Sequence, residues 1–507
     1  MSEIKRCIAT GSDNTFIMQW FEVEASKISS LDKREDKKWF FIANGGNFRK
    51  WYGNIENILN WENDGEAIKQ YDAATGKATL RNLKYMFKDG MTYTYTSMGS
   101  GIFNARMLFA GMGSIGVGPV IVNSENSIFT LAYINSNVFK WFIETMYGKV
   151  STFETGNIGK VAFKIIQNTK IEELASTCID LAKTDWDSYE TSREFFRHPF
   201  VQQSTKIEKI YKSWELTLEK KFNEQKANEE EINRLFIEAY ELKDELTPEV
   251  PEKNITMRKA NLKKDIVTFI SYIVGCMLGR YSLDEPGLSY AGGGWDDSKY
   301  ATFQPVSDNI IPLTDESFFH NDVIELFITF INKVYGSENL EENLSFVAYA
   351  LGNRGNNSRE VIKNYLINNF FKDHCKMYNN RPIYWLYDSG KQNGFKAIVY
   401  MHRYDEDTTG KVRVNYLHQV QKAYERAISN LQEDIADSKD AKEITHLQKK
   451  IEKFTKQLKE CKEYDERLGH IALERIPVDL DDGVKVNYQK VQTDSKGNVH
   501  QILAEIK

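Results

Sequence analysis

The sequence predicts an α+β protein of several domains, with a mixed α/β section first, largely helical sections after it and a coiled-coil-like helical hairpin near the C-terminal end. Three observations carry this. Short runs of β-formers, "KWFFIA", "MTYTYTS" and "PVIVN" among them, are separated by Gly and Asn through residues 1–165. Helical periodicity takes over after that point. A chain of 507 residues is also too long for one hydrophobic core, and at the usual domain size it divides into about three or four.

The elements follow in order. After the β-rich runs, "SIFTLAYINSNVFKWFIETMYG" (127–148) carries apolar residues at helical spacing. Within 166–254, Ile207, Ile210, Tyr211, Trp214, Leu218 and Phe222 share one helix face, and Ile232, Leu235, Phe236 and Tyr240 share a second. The two prolines of "LTPEVPE" close that spacer. Section 255–410 mixes helices with Gly-rich stretches such as "YAGGGWDD". In 411–507, Leu417, Val420, Tyr424, Ala427 and Leu431 step by threes and fours. Ile444, Leu447, Ile451, Phe454, Leu458 and Cys461 do the same beyond "ADSKDAKE", which is the pattern of a helical hairpin. The predicted domains are therefore 1–165, 166–254, 255–410 and 411–507.

A net charge of −6 argues against a protein that coats nucleic acid indiscriminately, so any basic groove must be local. Residues 1–160 hold 18 Lys and Arg against 16 Asp and Glu, which makes this section less acidic than the whole. Five cysteines at long spacings suggest neither a disulfide framework nor a zinc site, and read as reduced, buried thiols. The start "MSEIKRCIATGSDN" lacks an apolar signal core, and the apolar run 266–279 is too short to span a bilayer. A soluble, cytoplasmic protein without a membrane partner is expected.

Several motifs suggest chemistry and lose it in context. "GMGSIG" (111–116) fits G-x-G-x-x-G, but Pro119 and β-branched residues follow where a phosphate-binding helix must start, so a glycine-rich turn between strands is expected. Asp479, Asp481 and Asp482 sit beside a glycine turn, and Asp494 precedes Lys496 as in a nuclease pattern. Solvated turns explain both without a metal. His374 and Cys375 are adjacent and cannot face each other as a base and nucleophile, so a structural pair is expected.

The stretch "NGGNFRKWYGNIENILNWENDG" (44–65) is different. Guanidinium and amide groups read base edges, lysines hold phosphates and aromatic rings offer stacking surfaces; Asn44, Asn47, Arg49, Lys50, Trp51 and Tyr52 place all of these within nine residues. The plain alternative is a loop anchored by Trp51 and Trp61 whose polar residues are merely solvated.

Seven blocks decide between these readings: "CIATGSDNTFIMQWFEVE" (7–24), residues 44–65, "DWDSYETSREF" (185–195), "NRLFIEAYELKDELTPEV" (233–250), "ISYIVGCMLGRYSLDEPGLSYA" (270–291), "RPIYWLYDSGKQNGFKAIVYMHRY" (381–404) and "DLDDGVKVNY" (479–488). In this order they resemble the PglX family, the adenine-specific DNA methyltransferases of type 1 BREX phage-defence systems. The resemblance covers nearly the whole chain. A complete family member also carries an S-adenosylmethionine motif and an Asn-Pro-Pro-Tyr motif that holds a flipped adenine. None of the nine prolines here is adjacent to another, so the second motif is absent.

The resemblance implies a target-recognition domain followed by the family's helical region, as a fragment or a standalone specificity subunit that is inactive alone. No catalytic residue, metal or cofactor is expected in this chain, and S-adenosylmethionine belongs to a catalytic half elsewhere. The implied DNA-contacting positions are Thr10, Asn14, Asn44, Asn47, Arg49, Lys50, Trp51, Tyr52, Arg81 and Arg106, with Gly11 and Gly46 on matching motif positions. Arg49 and Lys50 are expected on phosphate, and Asn47, Arg81 or Arg106 on base edges. Implied partners are double-stranded DNA, a methyltransferase catalytic domain or a full-length copy, and other BREX proteins. Two rivals remain: a scaffold that joins BREX components through the helical hairpin, and an active methyltransferase with an unrecognised site.

Overall fold

The β-runs of the first section become short strands in the structure, a computed structural model that describes residues 3–96, 102–123, 126–164, 166, 168–316, 318–319 and 322–506. Contacts divide the chain into two units: Met1–Phe21, Ala25–Phe195 and Lys212–Ala260 form one, and Glu22–Glu24, Phe196–Tyr211 and Asn261–Lys507 the other. The whole is a mixed α+β fold with several small sheets and many helices.

The first unit holds strands β1 (Glu3–Lys5), β2 (Ile17–Gln19), β3 (Trp39–Ala43), β4 (Asn57–Asn60), β5 (Gly90–Tyr93), β6 (Ala105–Leu108), β7 (Gly113–Ser114) and β8 (Val120–Val122). One antiparallel sheet runs β1-β8-β5-β6, with Ile4 opposite Ile121 and Thr92 opposite Arg106. A second runs β2-β4-β3-β7, antiparallel except for the parallel pair of β3 and β7. All five residues of β3 are buried, which is why "WFFIA" reads as a continuous apolar run and not as an alternation.

The glycines of 111–118 serve close packing in these strands. A Cβ at Gly118 would lie 2.3 Å from the Ala43 carbonyl oxygen, and one at Gly111 2.0 Å from that of Ser30. The run feeds β7 and β8 with no helix between them, as the sequence context requires.

The helical run at 127–148 is two helices, Ser127–Ile134 and Asn137–Tyr147. Periodicity alone carried the pattern across the break. Asn135 closes the first helix, its N–H still donating to Leu131 O, and its side chain turns to a distant strand, accepting from Ala105 N and donating to Ala105 O, both at 3.0 Å. Ser136 then caps the second helix by accepting from Phe139 N. Thr169–Trp186 and most of Ile207–Ala239 complete this unit.

The second unit surrounds an antiparallel sheet of β9 (Ile310–Leu313), β10 (Tyr384–Asp388) and β11 (Lys396–Tyr400), in the order β10-β11-β9. The helix Leu262–Met277 is buried from Phe269 to Met277. No helix among the described residues is long and apolar enough to cross a membrane. Two long helices, His418–Asp437 and Ala441–Glu474, form the anticipated hairpin. Val420, Tyr424, Leu431, Phe454, Cys461, Tyr464 and Leu468 pack with Trp385, Tyr387, Phe395 and Val399 of the sheet in one apolar cluster. Arg413 and His418 both reach Asp465, at 2.8 Å each.

The remaining motif residues hold turns. Asp479 accepts from the Asp481 amide, and Asp494 accepts from the amides of Lys496 and Asn498 and pairs with His500. All five cysteines are buried and free.

His374 and His402 are fully enclosed near the buried Arg280 guanidinium, which lies over the rings of Tyr281 and Tyr400. His374 Nε2 accepts the amides of Ile383 and Tyr384 at 3.1 Å, so a proton there would displace both. Burial and the charge of Arg280 hold the His374 pKa well below its ordinary value and bring His402 down to about 3. The unfolded chain binds these protons near pH ~6.5 and the folded chain does not, so stability falls as pH drops below that value. We expect the apparent unfolding midpoint to decline between about pH 7 and pH 5, and His374→Asn, which keeps an acceptor that does not titrate, to reduce the slope. A variant with an unchanged pH profile would show that His374 does not contribute.

Candidate nucleic-acid interface

Residues 44–54 are held in a turn that few residue types tolerate. Gly45, Gly46, Trp51, Gly53 and Asn54 all have positive φ, and for Trp51 (φ 72°) this costs of the order of 1–3 kcal/mol. The surroundings supply the compensation. Trp51 N donates to Ala105 O at 2.9 Å, Met107 N donates to Trp51 O at 3.0 Å, and the indole Nε1 donates to Glu229 Oε1 at 2.8 Å.

Several of the expected contact residues are therefore turned inward. Lys50 is 5% exposed and its Nζ pairs with Glu229 Oε2, while Gln225 Nε2 donates to the other carboxylate oxygen. Arg49 reaches Asp185 Oδ2 at 3.0 Å, the carbonyls of Tyr52 and Ala182, and the face of Trp186. Arg258 joins the same carboxylate at 3.6 Å. Tyr52 is buried edge-on against Phe109. Arg106 donates to Gly45 O and to Thr94 Oγ1, and burial pulls its pKa down to about 10 against the opposing charge of Glu56. In this conformation Arg49, Lys50, Trp51, Tyr52 and Arg106 bind the protein's own groups, where a phosphate or a base was expected. The reason is burial: a charge taken out of water needs a partner, and Glu229 and Asp185 supply it.

Of the other five candidates, Thr10 and Asn14 line one cleft, and Asn44, Asn47 and Arg81 lie on segments that abut its loops. Ile8 bridges Ile115, Gly116 N donates to Ile8 O, and a Cβ on Gly45 would meet Val117 O at 2.8 Å, so loops 8–14, 44–47 and 115–118 abut. Ala9 pairs with Thr79, which brings in Lys77 and Arg81. Gly11 has φ +73° and its Cβ position lies 2.8 Å from the Lys77 backbone, so glycine is required where these strands meet. The cleft, about 590 Å³, is lined by Arg6, Thr10, Asp13, Asn14, Gly116 and Val117 among others.

Within it, Thr10 is buried and tied to Asp13, whereas Asn14 is exposed. Asn44 is half-buried and Asn47 exposed. Arg81 is exposed, with its Nε on Cys7 O at 3.3 Å. Arg6, Lys77 and Val117 were not singled out by the sequence. They carry no motif, and only the pairing of distant segments brings their loops against those of Asn14 and Asn47. Arg6 stacks on Tyr95 at 4.1 Å and bonds Gly116 O at 2.8 Å, which fixes its guanidinium at the cleft.

The chain as a whole has relatives among adenine-specific methyltransferases. Along 96% of its length the chain matches the adenine-specific methyltransferase PglX of Lacticaseibacillus casei (strain Zhang), with 41% identity over 505 residues. It matches the adenine-specific methyltransferase BrxX of Escherichia coli O9:H4 (strain HS) with 35% identity over 520 residues, again across 96% of the chain. The chain spans 42% of the length of each relative, and so matches about one half of PglX. No family model matches the sequence.

The buried pair makes a direct prediction. Lys50→Ala leaves Glu229 enclosed without its cation, and should cost roughly 3–5 kcal/mol, whereas Lys50→Met with Glu229→Gln, which keeps an uncharged acceptor for Trp51 Nε1 and Gln225 Nε2, should restore much of the loss. Thermal unfolding of the single and double variants checks this. Equal stability of Lys50→Ala and wild type would show that the pair is not structural.

Proposed function

We propose that this chain is the DNA target-recognition part of a BREX adenine-specific methyltransferase, binding duplex DNA and positioning a catalytic half that performs the methyl transfer. The observation that carries this reading is the cleft lined by Arg6, Thr10 and Asn14, whose loops abut the segments that carry Asn47, Lys77 and Arg81, in a chain that matches methyltransferases over 96% of its length. Methylation of one adenine in a duplex requires a flipped base, hence a docking surface that fixes register before the catalytic pocket receives it.

In this reading Lys77, Arg81 and Arg6 hold phosphate, and Arg49, Lys50 and Arg106 support the loops from within. The cofactor belongs to the catalytic half, and this chain alone binds no S-adenosylmethionine. Its partners are double-stranded DNA, a catalytic domain or a full-length copy, and other BREX proteins.

The test is a titration of the chain with a duplex pool at several salt concentrations, and separately with S-adenosylmethionine. Lys77→Ala and Arg81→Ala should weaken all duplexes alike and each reduce the salt slope by about 1, because each phosphate contact releases about one counterion. Silence toward DNA would refute the recognition reading, and S-adenosylmethionine binding would refute the division of labour in favour of an active methyltransferase.

A further inference from the structure

Two exposed side chains, Val117 at the cleft and Asn47 on the loop that abuts Val117, differ chemically from the nearby cations. Asn47 is exposed at the tip of its loop, and its side chain takes no hydrogen bond among the described residues. Its backbone, in contrast, is tightly held. Asn54 Nδ2 donates to Asn47 O at 2.9 Å and to Gly45 O at 3.1 Å, Gly46 at φ +95° packs its Cα against Asn54, and Arg106 donates to Gly45 O from below. Val117 is 44% exposed on the abutting loop, although β-branched apolar residues elsewhere in this unit are mostly enclosed. Its backbone is also fixed: Val117 O accepts from Tyr95 N at 3.3 Å and lies against Gly45. Two mutually braced loops thus present an exposed amide, Asn47, and a half-exposed isopropyl group, Val117, the second at the cleft.

A primary amide offers a donor and an acceptor in the spacing of adenine N7 and N6, and an apolar side chain suits the C5-methyl of thymine. The two groups lie on opposite strands of one A·T pair in the major groove. We propose that Asn47 and Val117 together read one A·T base pair, Asn47 on the adenine edge and Val117 on the thymine methyl, with Asn54 as the residue that positions Asn47. This rests on the recognition reading above and adds to it the base pair and the residues that select it. The rigid bracing is what makes selection possible, because a floppy amide would pair with several bases at similar cost.

The experiment is selection of preferred sequences from a randomised duplex pool by the full chain, followed by binding to the selected duplex with thymine replaced by uracil, or adenine by 7-deazaadenine, one position at a time. At one A·T pair wild type should lose affinity several-fold with uracil and roughly tenfold with 7-deazaadenine, since a good bidentate contact contributes about a tenfold preference or more. Val117→Ser should abolish the uracil effect at that pair alone. Asn47→Ala should abolish the 7-deazaadenine effect at the same pair, and Asn54→Ala should relax preference there without changing the salt slope. Lys77→Ala serves as the control that weakens every duplex equally. A selected sequence whose A·T preferences are untouched by Asn47→Ala and Val117→Ser would overturn this inference and leave the recognition reading standing. Failure of wild type to select any sequence would overturn both.

Discussion

The first unit is organised around an ion pair almost wholly withdrawn from water. Lys50 and Glu229 lie 179 positions apart in the chain and meet beneath the 44–54 turn, with Trp51 and Gln225 on the same carboxylate. Neither charge can be left alone at that depth, so the helix Ile207–Ala239 has one acceptable register against the turn. Asp185, shared by Arg49 and Arg258, repeats the constraint for Thr169–Trp186 and for the segment around residue 258. Polar pairing thus defines how the helices meet the sheets, whereas apolar burial in β3 and the neighbouring strands supplies the driving force.

This arrangement gives one short stretch two faces. Its charged and aromatic residues point in and hold the positive-φ turn against its strain, and Gly46 and Asn47 are exposed. The strain at Trp51 persists only because the indole and both backbone groups are engaged. Loops that must present side chains accurately are commonly built this way, on a scaffold that over-determines their backbone. The cations that flank the cleft come from other segments, Arg6 from just after β1, and Lys77 and Arg81 from the stretch that pairs with Ala9. A chain with a net charge of −6 can therefore still show a local positive edge.

The second unit shows a different economy of charge. Arg280 is enclosed among tyrosines and neutral imidazoles, its Nε on Tyr281 Oη and one Nη on Tyr400 Oη, both at 3.1 Å. A buried cation in that setting disfavours any second positive charge, which keeps His374 and His402 neutral and lets His374 act as an acceptor for two backbone amides.

The sequence by itself determined the element types and much of what faces the cores. Alternating or continuous β-formers marked β3, β5 and β8, and the steps of three and four through Val420, Tyr424 and Leu431 marked the hairpin helices. The absent helix after "GMGSIG" followed from Pro119 and its neighbours, because backbone propensity is local. Tertiary structure decided what anchors the break in the 127–148 helix: Ser136 caps it locally, but the Asn135 side chain is held by Ala105 on a distant strand. It also decided which members of "NGGNFRKWY" face solvent. Composition names the groups a segment can offer, but whether Lys50 meets a phosphate or Glu229 depends on a helix far along the chain. The positions that line the cleft with Asn14, such as Arg6 and Val117, were equally out of reach of any local pattern, because such an edge is assembled by strand pairing and not by sequence neighbourhood.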